Sequence, residues 1–142
     1  MNALQGLGRY PLYLSTSIAA IFAAIIVGIA HLIFGDLFGG VPDGFQVDTP
    51  SGEQDLLFVS SMFATFLYVL IGGLVYALIR RLSSNPDRVF VIVAVVVTLL
   101  SLIQPFTIED GPGSVIATLV VLHIIAGIVA TLALITLTRP KR

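Results

Sequence analysis

The 142-residue chain contains no cysteine, and that one absence excludes disulfide stapling, thiol redox chemistry, thiolate metal sites and Cys-attached haem together. Charge is almost as scarce. Asp, Glu, Lys and Arg make up 11% of the chain, against about 25% in an average soluble domain. The seven basic residues are scattered in groups too small to form a surface for nucleic acid. No carboxylate stands inside an apolar run, and there is no Gly-rich phosphate loop, no HExxH and no nucleophile elbow, so no catalytic motif is available to build on. What fills the chain is apolar: 57% of it is hydrophobic, a composition suited to lipid rather than water.

Four uncharged stretches, 10–35, 57–79, 89–108 and 113–138, are each long enough to cross a hydrocarbon core of about 30 Å, which takes roughly 20 helical residues. The charges between them are sorted by sign. Arg9, then Arg80, Arg81 and Arg88, then Arg139, Lys141 and Arg142 lie before the first span, between the second and third, and after the fourth. Asp36, Asp43, Asp48, Glu53, Asp55, Glu109 and Asp110, seven of the eight acids, lie in the two remaining connections. Because Lys and Arg are retained on the cytoplasmic side, this sorting places both termini and the 80–88 loop inside, with the 36–56 loop and the 109–112 turn outside. The expected fold is an all-α integral membrane protein, one antiparallel four-helix transmembrane bundle with cytoplasmic N and C termini. Gly28 and Ala30 make a small-x-small pair of the kind signal peptidase cuts. The apolar run from Leu12 is longer than a signal core, so a signal anchor is the better reading.

Tyr10, Pro11 and Tyr13 suit the interfacial entry to the first span, where Ala20, Ala24 and Gly28 recur at every fourth residue as a small-xxx-small packing stripe. His31 lies near the outer end of that span and reads as an interfacial imidazole capped by water or by the region of Asp36. In the outer loop, Gly39-Gly40, Pro42-Asp43-Gly44 and Thr49-Pro50-Ser51-Gly52 are turn chemistry, and 45–47 is at most one short extended segment. The loop is expected to fold back over the bundle mouth with Phe38 and Phe45 as plugs. Its acids do not have the spacing of a calcium loop. In the second span Ser61, Thr65, Tyr68, Gly72 and Tyr76 form a bundle-facing stripe. Ser84-Asn85-Pro86-Asp87 gives a short inner turn with a cap and a helix-opening proline, which makes spans two and three neighbours. Pro105 ends or kinks the third span, and Ser114 is the expected cap of the fourth.

The sharpest clue is His123, an imidazole well inside the uncharged run of the fourth span and on the same face as Gly127, Ala130 and Thr131. At about 1.5 Å per residue, Thr65 and Tyr68 lie roughly 12 to 17 Å below the outer surface, Ser101 roughly 10 Å and His123 roughly 13 Å. These depths predict one polar cluster in the outer half of the bundle, centred on His123 with Ser101 and Tyr68 or Thr65, and with Ser61, Gln104 and His31 above it. Its candidate ligand-binding residues are therefore His123, Ser101, Tyr68, Thr65, Gln104 and His31. The plainer role for such a cluster is helix-to-helix bonding. A bis-histidine haem is disfavoured, because His31 at roughly 6 Å is too shallow to share an axis with His123; neither a cofactor nor a metal is expected.

Val47-Asp48-Thr49-Pro50 in the outer loop, Arg80-Arg81 closing span two, Ser101-Leu102 with Pro105 ending span three, and Leu122-His123-Ile124 in span four occur in an order that resembles a family of small four-span bacterial membrane proteins of unknown function. The resemblance implies a multi-pass protein of the bacterial plasma (inner) membrane and marks Ser101, Pro105 and His123; it implies no substrate. The functional expectation is a non-enzymatic accessory or structural subunit whose partners are the lipid bilayer and a homo-oligomer or larger membrane complex. The alternative is a small ligand-binding or transport protein working through the His123 cluster.

Overall fold

The computed structural model describes residues 12–41, 45–49, 52–55, 58–108 and 112–138. Tyr10, Pro11, the loop segment 42–44 and the charged residues Arg9, Glu109, Asp110, Arg139, Lys141 and Arg142 lie outside them. Helix α1 (Leu12–His31) continues as a π-helix over Leu32–Leu37. A hairpin follows, β1 (Gln46–Thr49) against β2 (Gly52–Asp55), antiparallel in the register Gln46 to Asp55 and Thr49 to Gly52. Then come α2 (Phe58–Leu82), α3 (Pro86–Ser101) with a short 3-10 turn at Gln104–Thr107, and α4 (Gly113–Thr138). Four helical segments, Leu12–Leu37, Phe58–Leu82, Pro86–Thr107 and Gly113–Thr138, are long and apolar enough to cross a membrane. The hairpin departs from the single extended segment expected in the loop. Two runs joined through Pro50-Ser51 pair their own backbone groups, which one isolated strand has no means of doing.

The bundle is organised on α1. Ala19, Ala20, Ala23, Ala24, Val27 and Gly28 are buried, whereas Ile21, Phe22, Ile25 and Ile29 point outward. In lipid, association between helices comes from close packing rather than from escape from water, and a face of Ala and Gly gives the neighbouring backbones the nearest approach. Helices α2 and α4 lie on this face and touch one another, and α3 packs against α4 and α2. Between α1 and α2 the approach is closest at two glycines. A Cβ on Gly73 of α2 would fall 2.1 Å from Thr16 Cγ2, and one on Gly28 of α1 would fall 2.5 Å from Met62 Cγ. Thr16 near the start of α1 thus meets α2 toward its far end, while Met62 near the start of α2 meets α1 toward its end.

The other pole is locked by polar groups. Tyr76 of α2 is 1% exposed; its hydroxyl donates to the Asp87 carboxylate at the start of α3, and its ring lies 4.7 Å from that of Phe90 at 50°. Arg80 stands 5.9 Å above the same ring and donates from Nη1 to the carbonyl of Thr138 at 3.0 Å, satisfying a free acceptor at the end of α4. Two expected caps do not form. Pro86 opens α3, but the Asn85 side chain makes no capping bond; its N–H instead donates to Ser83 Oγ at 3.1 Å. Helix α4 begins one residue before Ser114, so Ser114 lies within the first turn rather than at the cap. Tyr13 is exposed at the start of α1.

Candidate functional site

Two imidazoles lie in the half of the bundle away from the Tyr76 lock, and they do not share a cluster. His31 is the last residue of α1 before the π-helix and is 0% exposed. Its Nδ1 is 2.8 Å from Ser61 Oγ of α2. A neutral imidazole has one donor and one acceptor nitrogen. Whichever of the pair donates, the ring is left with one further nitrogen to satisfy, and Nε2 is buried without a hydrogen-bond partner among the described residues. The interfacial, water- or Asp36-capped imidazole expected here is instead sealed inside. The helical segment runs on to Leu37 and the chain then folds back on its end, with Gly40 and Val41 bonded to Phe34 O and Gly35 O, so His31 lies below the end of the span.

The turn that follows closes over the ring. Phe38 N–H donates to Ile33 O at 3.0 Å, five residues back, and Gly40 and Val41 donate to Phe34 O at 3.2 Å and Gly35 O at 3.0 Å. Gly39 has φ +65°, a left-handed conformation suited to glycine. A Cβ on Gly35 would lie 2.9 Å from His31 Cδ2 and 3.0 Å from Nε2, and a Cβ on Gly40 only 2.1 Å from Thr118 Oγ1 of α4. Gly35, which has no side chain, thus lies directly against the ring, and the returning Val41, itself 8% exposed, packs beside Gly35. The plugs expected at Phe38 and Phe45 do not do this work. Phe38 is 71% exposed, with its ring 6.2 Å from that of Phe34, and Phe45 is half-buried. A π-turn with a 6→1 closure redirects the chain before Phe38 can reach inward.

His123 is half-buried on α4, and both of its nitrogens are engaged. Nδ1–H donates to the carbonyl of Leu119, one turn back, at 2.7 Å. That leaves Nε2 as an acceptor, 3.4 Å from Gln104 Oε1, which is itself an acceptor, so the contact becomes a hydrogen bond only when the Gln104 amide turns its NH2 toward the ring. Gln104 reaches it because α3 stops at Ser101 and the 3-10 turn through Pro105 leans toward α4, below which Thr98 packs on Gly127. The other candidates take no part in either site. Ser101 Oγ donates to Thr98 O at 2.7 Å and Thr65 Oγ1 to Ser61 O at 2.8 Å, each within its own helix. Tyr68 is 72% exposed. The buried line of α2 runs through Thr65, Val69, Gly73 and Tyr76, and Tyr68 lies just off it because Gly73, rather than Gly72, receives Thr16.

The expected single cluster is therefore two pairs, His31 with Ser61 and His123 with Gln104. Val27, Ala30 and Leu122, within one turn of the two histidines along α1 and α4, form one buried apolar layer. The same layer corrects the depth comparison. Ala30 and Leu122 pack together, so the two histidines sit at similar levels, but one ring turns to α2 and the other to α3.

The model of a family of unknown function, DUF6069, matches residues 9–140. The chain belongs to this family. No curated protein and no solved structure matches it. In this DUF6069 chain the sequence gives too little weight to His31 with Ser61, and at the opposite pole it places Tyr76 on the bundle-facing stripe without pairing it to Asp87. A signal for the second pair was present: Asp87 is the eighth acid, the one standing among the basic residues, and an acid on the wrong side of the charge sorting invites a search for its donor.

Proposed function

We propose that this protein is a non-enzymatic, multi-pass subunit of the bacterial plasma (inner) membrane, with its helices alternating up and down, both termini in the cytoplasm and the hairpin outside, and that it acts through its helices and outer loop as an accessory or structural component of a larger membrane complex or homo-oligomer. The observation that carries this reading is the use made of the polar groups within the spans. His31 with Ser61, Tyr76 with Asp87 and Arg80 with the Thr138 carbonyl bond one helix to another, which is the behaviour of bundle glue, while Ser101 and Thr65 bond within their own helices. The outward side of α3, with Ile92, Val96, Leu99, Leu100 and Ile103 all exposed, is apolar enough for lipid or for a neighbouring helix. The sorting of basic and acidic loops supports the orientation. The competing reading, a ligand or transport site centred on His123, has less support, because Tyr68 faces outward and Ser101 is spent on its own helix.

Cysteine crosslinking in native membranes tests this, since the chain brings no thiol of its own. Val96→Cys and Leu100→Cys are expected to crosslink to a second polypeptide, while His123→Ala leaves the crosslink in place. A chain that crosslinks to nothing from this face, and that loses a bound small molecule with His123→Ala, would reverse the order of the two readings.

A further inference from the structure

We propose that the end of the bundle where α2 passes into α3 binds an anionic phospholipid, its phosphate on Arg81 and Arg88 and its acyl chains along the outward stripe of α2. The proposal rests on the spans crossing a bilayer, as above, and not on which end faces the cytoplasm. The segment from Arg80 to Arg88 holds three arginines against one aspartate. Arg80 is half-buried, set over the Tyr76 ring and bonded to the Thr138 carbonyl, and Asp87 accepts from the Tyr76 hydroxyl. Arg81 and Arg88 are exposed, and neither has an ion pair or a side-chain hydrogen bond among the described residues. Ser84 and Asn85, exposed in the connection between them, add a hydroxyl and an amide that caps no helix. A guanidinium offers paired donors that match phosphate oxygens two at a time. The helix leading to Arg81 decides which phosphate. Leu67, Ile71, Leu74 and Leu78 are all exposed and recur at helical spacing, with Arg81 three residues on, opposite the Thr65, Val69, Gly73 and Tyr76 side by which α2 packs. At about 1.5 Å per residue the stripe is about 16 Å long, which is one leaflet of a hydrocarbon core of about 30 Å. A free phosphate gains nothing from that stripe; a phospholipid covers it and the arginines together. The charge then selects among lipids, because a choline headgroup brings a cation to the two arginines and an anionic headgroup brings none. The outward side of α3 is not used and stays available to the second polypeptide proposed above.

The test uses the full chain, which has no tryptophan of its own, with one introduced as a reporter. Leu78→Trp lies on the stripe, and Phe22→Trp, on the outward side of α1, is the control; both parent side chains are exposed, so both variants should fold. Each is reconstituted in mixed vesicles of phosphatidylglycerol and phosphatidylcholine with one of the two lipids brominated, and the quenching gives the preference for the anionic lipid beside each indole. That preference is expected to be about 25-fold at Leu78→Trp, about fivefold for each arginine, and near one at Phe22→Trp. In the Leu78→Trp background, Arg81→Gln or Arg88→Gln should lower it to about fivefold, and the two together to near one. Arg81→Lys keeps the charge without the paired donors and should lower it at least about twofold. The same preference at both reporters, a preference that survives loss of both arginines, or full retention in Arg81→Lys overturns the proposal. Failure of the membrane reading itself reads out separately, because neither brominated lipid would then quench either indole.

Discussion

The two histidines of this bundle are the same residue type at nearly the same level in one apolar environment, yet one is enclosed with a nitrogen unpaired among the described residues and the other is half-exposed with a polar contact at each nitrogen. The difference comes from the helices that carry them. His31 ends a helix whose inner face is Ala and Gly, so α2 and α4 close tightly around it, and its ring is directed across to Ser61 instead of back to its own backbone. His123 stands on α4, where its Nδ1 reaches the Leu119 carbonyl without leaving the helix, and the looser contact with α3 leaves only a long contact to Gln104. In lipid, small residues decide how completely a polar group is shut in. Whether it is satisfied depends on what its own helix offers.

The comparison is tested most severely by truncating each ring. His31→Ala opens a cavity in a closed site and strands the Ser61 hydroxyl, so a loss of about 2–4 kcal/mol is expected, read as a clear fall in melting temperature in detergent. His123→Ala gives up one interhelical contact, worth about 0.6 kcal/mol. Equal losses would mean that enclosure contributes nothing and that the two sites are energetically alike.

Next in size is the Leu37–Val41 turn. A side chain on Gly40 meets Thr118 Oγ1 at 2.1 Å and the Phe34 carbonyl at 2.3 Å, and since one of these is backbone the turn must shift as a whole. Gly40→Val should therefore cost about 1–3 kcal/mol. Gly113→Ala, where a Cβ meets nothing within 4 Å, is the matched control and should melt with the parent chain. Were Gly40→Val to melt there too, the turn would not be seated on α4, and His31 would lose the enclosure that separates it from His123.

Much of this was legible in the chain itself. The four spans follow from uncharged length, and the stripe of Ala20, Ala24 and Gly28 is the face on which α1 packs. Legibility failed where a single residue's backbone choice moved everything beyond it. Depth counted from an expected span end at Gly35 placed His31 near the surface, because nothing in the sequence announces that the chain after Leu37 folds back on the helix end, and counting depth alone merged two sites into one. Tyr68 was assigned inward because it shares a stripe with Thr65 and Tyr76; the choice between it and Val69 was made by Thr16 from another helix, which no periodicity within α2 contains.

The Tyr76 lock is a third polar group against which to measure the two imidazoles, being buried and fully paired at once. Tyr76→Phe leaves the Asp87 carboxylate without this donor and should cost about 1–2 kcal/mol, between the losses expected at His31 and His123. In a double-mutant cycle, Tyr76→Phe with Asp87→Asn should show coupling, whereas Tyr76→Phe with His31→Ala, at opposite poles of the bundle, should be additive to within about 0.5 kcal/mol.

The smallest expected effect gives the finest test of how His123 is held. Gln104 is exposed, and its 3.4 Å contact to Nε2 is long, while the 2.7 Å bond from Nδ1 to Leu119 lies within one helix. If the intrahelical bond does the holding, Gln104→Leu should change stability by no more than about 0.6 kcal/mol, since the loss of one weak interhelical contact is offset by a side chain better suited to lipid. The cost of His123→Ala should then change by no more than about 0.6 kcal/mol when Gln104 is replaced. A strong dependence between the two would show instead that α3 is pinned to α4 through this pair, and that the half-exposed histidine, not the enclosed one, is the joint that fixes α3 in the bundle.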